Sequence, residues 1–191
     1  MAVRASGTNW AYDIAMTVAT LMTADELLRL PDDGWRYELV RGELQKMSPA
    51  GGRHGDAEME LYVSLGAFVK QHRLGRLYGA DTGFKIAKDP DTVLCPDAAF
   101  VRAERVIRTP KFIERTPDVV FEVISPSDRY SVVEEKTRHW LRAGASVVVV
   151  IDPETETVRI HRAGSTTTVN EVLEIDDVLP GWRLPLAELF A

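Results

Sequence analysis

The chain has 191 residues, a net charge of −6, 45% apolar and 27% charged side chains, the profile of one ordinary globular domain. No apolar run approaches the ~20 residues of a membrane span, and the single cysteine, Cys95, excludes an intramolecular disulfide and a zinc ribbon. The acidic balance also excludes nucleic-acid binding by bulk charge, so any such contact needs a local basic patch, a dimer cleft or metal ions that screen carboxylates.

Residues 1–20 show little periodicity and read as a loosely held extension ahead of a single domain over 21–191. The apolar stretch from Ile14 to Ala19 is too short and too polar at its edges for a signal peptide, so a cytoplasmic protein is expected. Thr23-Ala24-Asp25-Glu26 has the form of a capping box, opening a short helix that ends near Leu30, before Pro31. Tyr37–Val40 and Glu43–Met47 flank Arg41-Gly42 and predict a hairpin with a two-residue turn. A Gly- and Pro-bearing loop, 48–53, leads into the longest helix, His54 to His72, where Ala57, Leu61, Leu65 and Phe68 recur at helical spacing and Gly75 is the expected stop.

Strands are then expected at Arg76–Tyr78, Gly83–Ala87 and Val93–Val101, followed by a polar, partly helical connection from Ala103 to Arg115. Pro117 to Ile124 reads as a buried strand, and Ser125-Pro126-Ser127-Asp128 as a turn whose serine caps the next helix, Val132 to Ala143. The near-continuous apolar run Val147–Ile151 predicts a central strand covered on both faces. A further strand, Thr157 to His161, another hairpin arm within 164–178 and a terminal cap from Leu186 to Phe190 complete a mixed α/β chain. Cys95 is expected to be a buried small hydrophobe, and His72, His139 and His161 fall at polar positions with no assigned role.

Two acids interrupt the apolar runs: Asp97 in Cys95-Pro96-Asp97-Ala98-Ala99-Phe100-Val101, and Glu122 in Val119-Val120-Phe121-Glu122-Val123-Ile124. A carboxylate inside an apolar strand is costly to bury unless a cation holds it. Two of them point to a hard divalent ion with Asp97 and Glu122 as ligands. Lys136 is the third member. On a helical wheel it lies between Trp140 and Ala143 on the apolar side, while Glu134, Glu135, Arg138 and Arg142 take the other face. There its ammonium either snorkels outward or is aimed at the two acids, where it orients an attacking water or offsets charge in a transition state.

The ordered succession Tyr37-Glu38-Leu39-Val40-Arg41-Gly42-Glu43-Leu44, His54, Pro96-Asp97, Glu122-Val123-Ile124-Ser125-Pro126-Ser127, Lys136, Trp140-Leu141-Arg142-Ala143-Gly144 and Ile151-Asp152-Pro153 resembles the Uma-two family of restriction-endonuclease-like proteins. The resemblance runs from about Thr23 to Phe190. It implies a restriction-endonuclease-like fold of the PD-(D/E)XK superfamily, a central mixed β-sheet flanked by helices, in which an Asp and a Glu bind Mg²⁺ and a lysine stands two positions after the Glu. Here that position is Ile124, so Lys136 is the candidate migrated lysine and Lys85 the reserve. Glu38 and His54 also fall on family motif positions, as an additional acid and as a group that touches phosphate or moves a proton; Glu58, one turn beyond His54, is another acid that can face the site.

These expectations converge on a Mg²⁺-dependent endonuclease acting on DNA, with Asp97, Glu122, Lys136, Glu38 and His54 as its site and a homodimer as the arrangement suited to double-strand cleavage. The competing expectation is a non-catalytic module that binds nucleic acid or protein through Arg102–Arg108 with Lys111, or Arg138 with Arg142. A third is a metal-dependent phosphohydrolase acting on nucleotides.

Overall fold

Thr23 and Glu26 form the expected capping box: the Glu26 N–H donates to Thr23 Oγ1 at 3.3 Å, and the Thr23 N–H to Glu26 Oε2 at 2.7 Å. They open α1 (Ala24–Leu27). The computed structural model describes residues 21–191, so the expected extension over 1–20 lies outside the described residues. The hairpin forms as read, from β1 (Arg36–Val40) and β2 (Glu43–Met47). Its turn residues Arg41 and Gly42 have φ of 53° and 81°, the left-handed conformation a two-residue turn needs.

Helix α2 (Gly52–His72) buries His54, Ala57, Leu61, Leu65 and Val69 along one side. It stops at Arg73, which adopts the left-handed φ of 55°, and not at Gly75. Gly75 instead begins β3 (Gly75–Gly79), where a Cβ would stand 2.0 Å from the Val101 carbonyl oxygen. Its missing side chain serves strand approach rather than helix termination.

The run expected as one strand, Val93–Val101, is two. β4 (Phe84–Ala87) pairs with β5 (Thr92–Leu94) in a four-stranded sheet ordered β2-β1-β5-β4, whereas β6 (Ala98–Arg102) belongs to a second sheet. The chain changes sheets at Cys95-Pro96-Asp97, where Pro96 has no N–H to extend a ladder. The second sheet also takes β7 (Val119–Val123), β8 (Val147–Asp152), β9 (Thr157–Arg162) and β10 (Ser165–Val169), in the order β10-β9-β8-β7-β6-β3. Only β7 and β8 are parallel, because α3 (Tyr130–Arg142) carries the chain back between them. The residues after β10 split into β11 (Val172–Ile175), which pairs with the unanticipated β12 (Leu179–Pro185), before the terminal α4 (Leu186–Leu189).

Alternation along β7 and β8 divides the core into two layers. Val119, Phe121, Val123, Val147, Val149 and Ile151 face α2, together with Trp182 and Leu184 of β12. Val120, Val148 and Val150 face the α3 side, around Trp140 and Phe84. His161 is buried on β9 rather than polar-facing, with its Nδ1 3.1 Å from Thr166 Oγ1. Among the described residues no helix is long and apolar enough to cross a membrane.

The close approach at Gly75 generates a test. Gly75→Ala should lower unfolding stability by roughly 1–3 kcal/mol, the scale of an overpacked core site, measured by urea denaturation. Gly52→Ala, where φ is not positive and nothing lies within 4 Å of the added carbon, is the control without a clash.

Candidate active site

The strand period decides where Glu122 points. As the fourth residue of β7 it shares a face with Val120, toward α3, and it is only 6% exposed. On α3, Lys136 and Trp140 are one turn apart and therefore stacked on one side of the helix. Together they hold the carboxylate: Trp140 Nε1–H donates to Glu122 Oε1 at 2.7 Å and Lys136 Nζ lies 2.9 Å from Glu122 Oε2. The aliphatic-versus-charged question at Lys136 resolves inward.

Lys136 makes two more contacts. Its ammonium lies 3.0 Å from Glu38 Oε1 and donates to the Cys95 carbonyl at 3.0 Å. Two carboxylates and one backbone carbonyl thus surround the ammonium. Glu38, on β1, is not on an exposed hairpin face; it is 2% exposed, and its Oε1 also accepts the Cys95 N–H at 2.7 Å. Cys95 contributes through its backbone, and burial pushes its thiol up to about 12, out of the reactive range.

Asp97 arrives from the junction between the two sheets. Ala98 pairs with Phe121, so one further step of the antiparallel register sets Asp97 across from Glu122. The Val123 N–H donates to Asp97 Oδ2 at 2.7 Å. The other oxygen, Oδ1, faces His54 Nε2 at 3.5 Å. His54 projects from the first turn of α2, and its Nδ1 is held 3.2 Å from Ser125 Oγ. Ser125 is thus a partner of His54 and no helix cap; the cap position of α3 is Arg129. Glu58 completes this side, with an oxygen 3.9 Å from His54 Nε2 and a hydrogen bond from Tyr62, whose hydroxyl also lies against the Asp97 carbonyl and accepts the Ala80 N–H at 3.0 Å.

Glu38, His54, Asp97, Glu122 and Lys136 all line one open cleft of about 250 Å³. The reserve lysine does not: Lys85 Nζ is bound to Asp91 at 2.8 Å. Arg36 and Lys46 of the hairpin line the same cleft and were not singled out from the sequence, where they look like ordinary exposed strand charges. The basic stretch Arg102–Arg108 is partly committed elsewhere, since Arg105 and Arg102 both pair with the buried Asp118, and Lys111 pairs with Asp25 at 3.1 Å. Trp140, Ser125 and Tyr62 were also missed as site members, because nothing local marks a tryptophan or serine as a carboxylate or imidazole partner.

The electrostatics follow from crowding three carboxylates around one ammonium. Burial, reinforced by Asp97 and Glu38, pushes the Glu122 carboxyl up to about 8 against the opposing pull of Lys136. Burial also raises Asp97, but the His54 contact, Lys136 and the Val123 N–H outweigh it and hold that carboxyl below its ordinary value. Burial lowers Lys136, and the carboxylates of Glu122, Glu38 and Asp97 more than reverse it, keeping the ammonium charged. His54 behaves likewise: burial depresses it, Asp97 and Glu58 raise it, and the net direction is up.

Among the described residues no three His, Cys, Asp or Glu side chains gather closely enough to enclose an ion. Asp97 and Glu122 lie side by side at the cleft floor, largely buried, with Trp140 and Lys136 on the oxygens of Glu122 and the Val123 N–H and His54 on those of Asp97. An ion held there would be of the hard, oxygen-seeking class, which binds through one or two carboxylates and keeps waters or substrate phosphates for the remaining positions.

Comparison with known proteins accords with this picture. A family model described as "Uma2: Putative restriction endonuclease" matches residues 24–187. Among solved structures, a "putative nuclease belonging to DUF820" from Anabaena variabilis superposes with a TM-score of 0.77 at 23% identity, over 88% of this chain and 97% of that one. At that identity the likeness shows the fold. A search of curated proteins returned no match. Family and fold together support a nuclease in general terms.

The raised Glu122 carboxyl sets a pH dependence. Folded, it keeps its proton to about pH 8; unfolded, it loses it near the ordinary 4.5. The folded state therefore binds the extra proton, and stability falls as pH rises through that window. His54, also raised, contributes a loss in the same direction above its unfolded value of 6.5. Thermal melts of the metal-free protein from pH 5 to 8 should show this decline, on the order of a few kcal/mol. Glu122→Gln should flatten it to the His54 part; an unchanged slope would remove Glu122 as its source.

Proposed function

The chain belongs to the Uma2 family of restriction-endonuclease-like proteins, and from that premise we propose that it is a divalent-metal-dependent endonuclease hydrolysing phosphodiester bonds in DNA. The observation that carries this reading is the buried Lys136 ammonium bound to Glu122 and Glu38 beside Asp97, at the floor of an open cleft. In this proposal Asp97 and Glu122 hold Mg²⁺ or Mn²⁺. When bound, such an ion lowers the pKa of a coordinated water and neutralises charge on the scissile phosphate.

The chain's own groups do the rest. Lys136 stands in for the lysine absent at Ile124: it fixes both glutamates and, by exchanging its Cys95 carbonyl contact for a water or phosphate oxygen, orients the nucleophile or offsets transition-state charge. Glu38 holds Lys136 in place from the hairpin side. His54, oriented by Ser125 and kept toward its charged form, is suited to contact a phosphate oxygen or to hand over a proton beside Asp97. Trp140 excludes water from the back of Glu122 while donating to it. Arg36 and Lys46 supply positive charge along the cleft for the nucleic-acid backbone, offsetting locally an acidic chain.

A second reading has one observation in its favour. The Lys136 ammonium is already surrounded by two carboxylates and a backbone carbonyl, an arrangement equally suited to a nuclease fold kept as a non-catalytic nucleic-acid or protein-binding module.

Calorimetric titration of Mg²⁺ and Mn²⁺, paired with plasmid nicking on the same samples, separates the two. Wild type should bind metal and nick DNA, and Asp97→Ala/Glu122→Ala should lose both. Lys136→Ala should lose nicking by about a hundredfold or more, the scale of removing one transition-state donor, and should also be less stable, so nicking is compared at a temperature where its thermal melt shows it folded. A wild type that binds no divalent ion would sink the catalytic account and leave the module.

A further inference from the structure

Helix α2 turns one side to the core and the site, and leaves on the other an apolar stripe that is exposed among the described residues. Met59 is 57% and Val63 61% exposed, the highest values among the large hydrophobic side chains of the described residues. Ala67 continues the stripe one turn on, and Asp56 and Lys70 close its two ends; all three are exposed. Nine positions separate Val63 from His54, which at 100° per residue sets them on opposite sides of the helix. The stripe is therefore independent of the cleft.

The order of these residues identifies what covers them. Asp56, Met59, Val63, Ala67 and Lys70 are spaced by three, four, four and three positions, a palindrome about Val63. Lay a second copy of α2 antiparallel across the first with a two-fold axis at Val63. Val63 then meets Val63, each Met59 meets the small Ala67 of the other copy, and each Asp56 meets the opposite Lys70. A two-fold interface requires this reciprocity, residue i on j and j on i. The charges are opposite at both ends, and the large Met59 faces the small Ala67. Glu60 falls opposite Gly66, which has no side chain to obstruct approach. Neither Asp56 nor Lys70 has an ion-pair partner within the chain among the described residues, in contrast to Arg53, which pairs with Glu154 at 3.5 Å.

We propose that this face of α2 is a homodimer interface, two copies of the chain docking antiparallel about Val63. The two clefts then lie back to back, both open to solvent. Their His54 side chains are separated by roughly 27 Å along the helix direction, from eighteen residues at 1.5 Å each. The proposal is independent of the nuclease reading, because its test measures association and no catalysis.

Sedimentation velocity over a concentration series is the measurement, with thermal melts to establish folding. Wild type should dimerise reversibly. Val63→Asp, which sets two carboxylates face to face on the axis, should be monomeric, with the melting temperature that wild type has at concentrations where it too is monomeric. Asp56→Lys and Lys70→Asp should each raise the dimer dissociation constant by about tenfold, since every substitution turns two attractive contacts repulsive. The Asp56→Lys/Lys70→Asp double variant should return it to the wild-type value. A monomeric wild type overturns the proposal. So does a Val63→Asp dimer of wild-type strength, or a double variant that fails to recover, which also decides the matter should Val63→Asp not fold.

Discussion

One ammonium holds the middle of this molecule together. Lys136 is the cation that lets Glu122 lie inside the sheet and Glu38 lie beneath the hairpin, and it reaches the backbone at the point where the chain passes from one sheet to the other. Breaking such a buried pair from one side leaves an uncompensated charge and is strongly destabilising, whereas the intact pair contributes modestly to net stability. The lysine's main structural effect is therefore specification: it ties β1, β7, α3 and the β5–β6 junction to one point.

The architecture delivers those groups by simple rules. A period of two along β7 turns Glu122 to the α3 side while Phe121 and Val123 turn to α2. A period near four along α3 stacks Lys136 and Trp140, so each takes one oxygen of the same carboxylate. The β6–β7 ladder stops at Ala98 and Phe121, and just beyond it Asp97 accepts the Val123 N–H with its side chain. The helix on the other side, α2, presents His54 at the same end of the sheet. Both layers of the core thus contribute to one cleft, and the charge imbalance there, three carboxylates against one lysine, is relieved in the metal-free protein by raising the proton affinity of Glu122.

The same division explains why α2 can serve two surfaces. Its buried side makes the core and the cleft, and its outer side is free to carry an unrelated pattern. An outward stripe that reads alike in both directions does not arise from the needs of the core, which constrain only the inward positions.

Much of the fold was legible because its signals are local. The Thr23–Glu26 box, the Arg41-Gly42 turn, the helical spacing of Ala57, Leu61 and Leu65, and the apolar run of β8 each depend on residues within one or two turns of one another. The family resemblance carried by the ordered motifs extended that to the mixed sheet flanked by helices, which the fold comparison bears out. The failures were non-local. Val93–Val101 is apolar enough for one strand, and only the separate partners Leu39 and Phe121 divide it between two sheets. β12, with Pro180 and Gly181 inside it, is a strand because β11 pairs with it. At the cleft, the sequence by itself determined which carboxylates and which lysine stand against their apolar surroundings, because alternation and helical phase are properties of the chain. Only the tertiary structure decided that Lys136 and not Lys85 meets them, and that Trp140, Ser125 and a cysteine backbone hold them, because those contacts join residues far apart in the chain and exist only once the sheets are assembled.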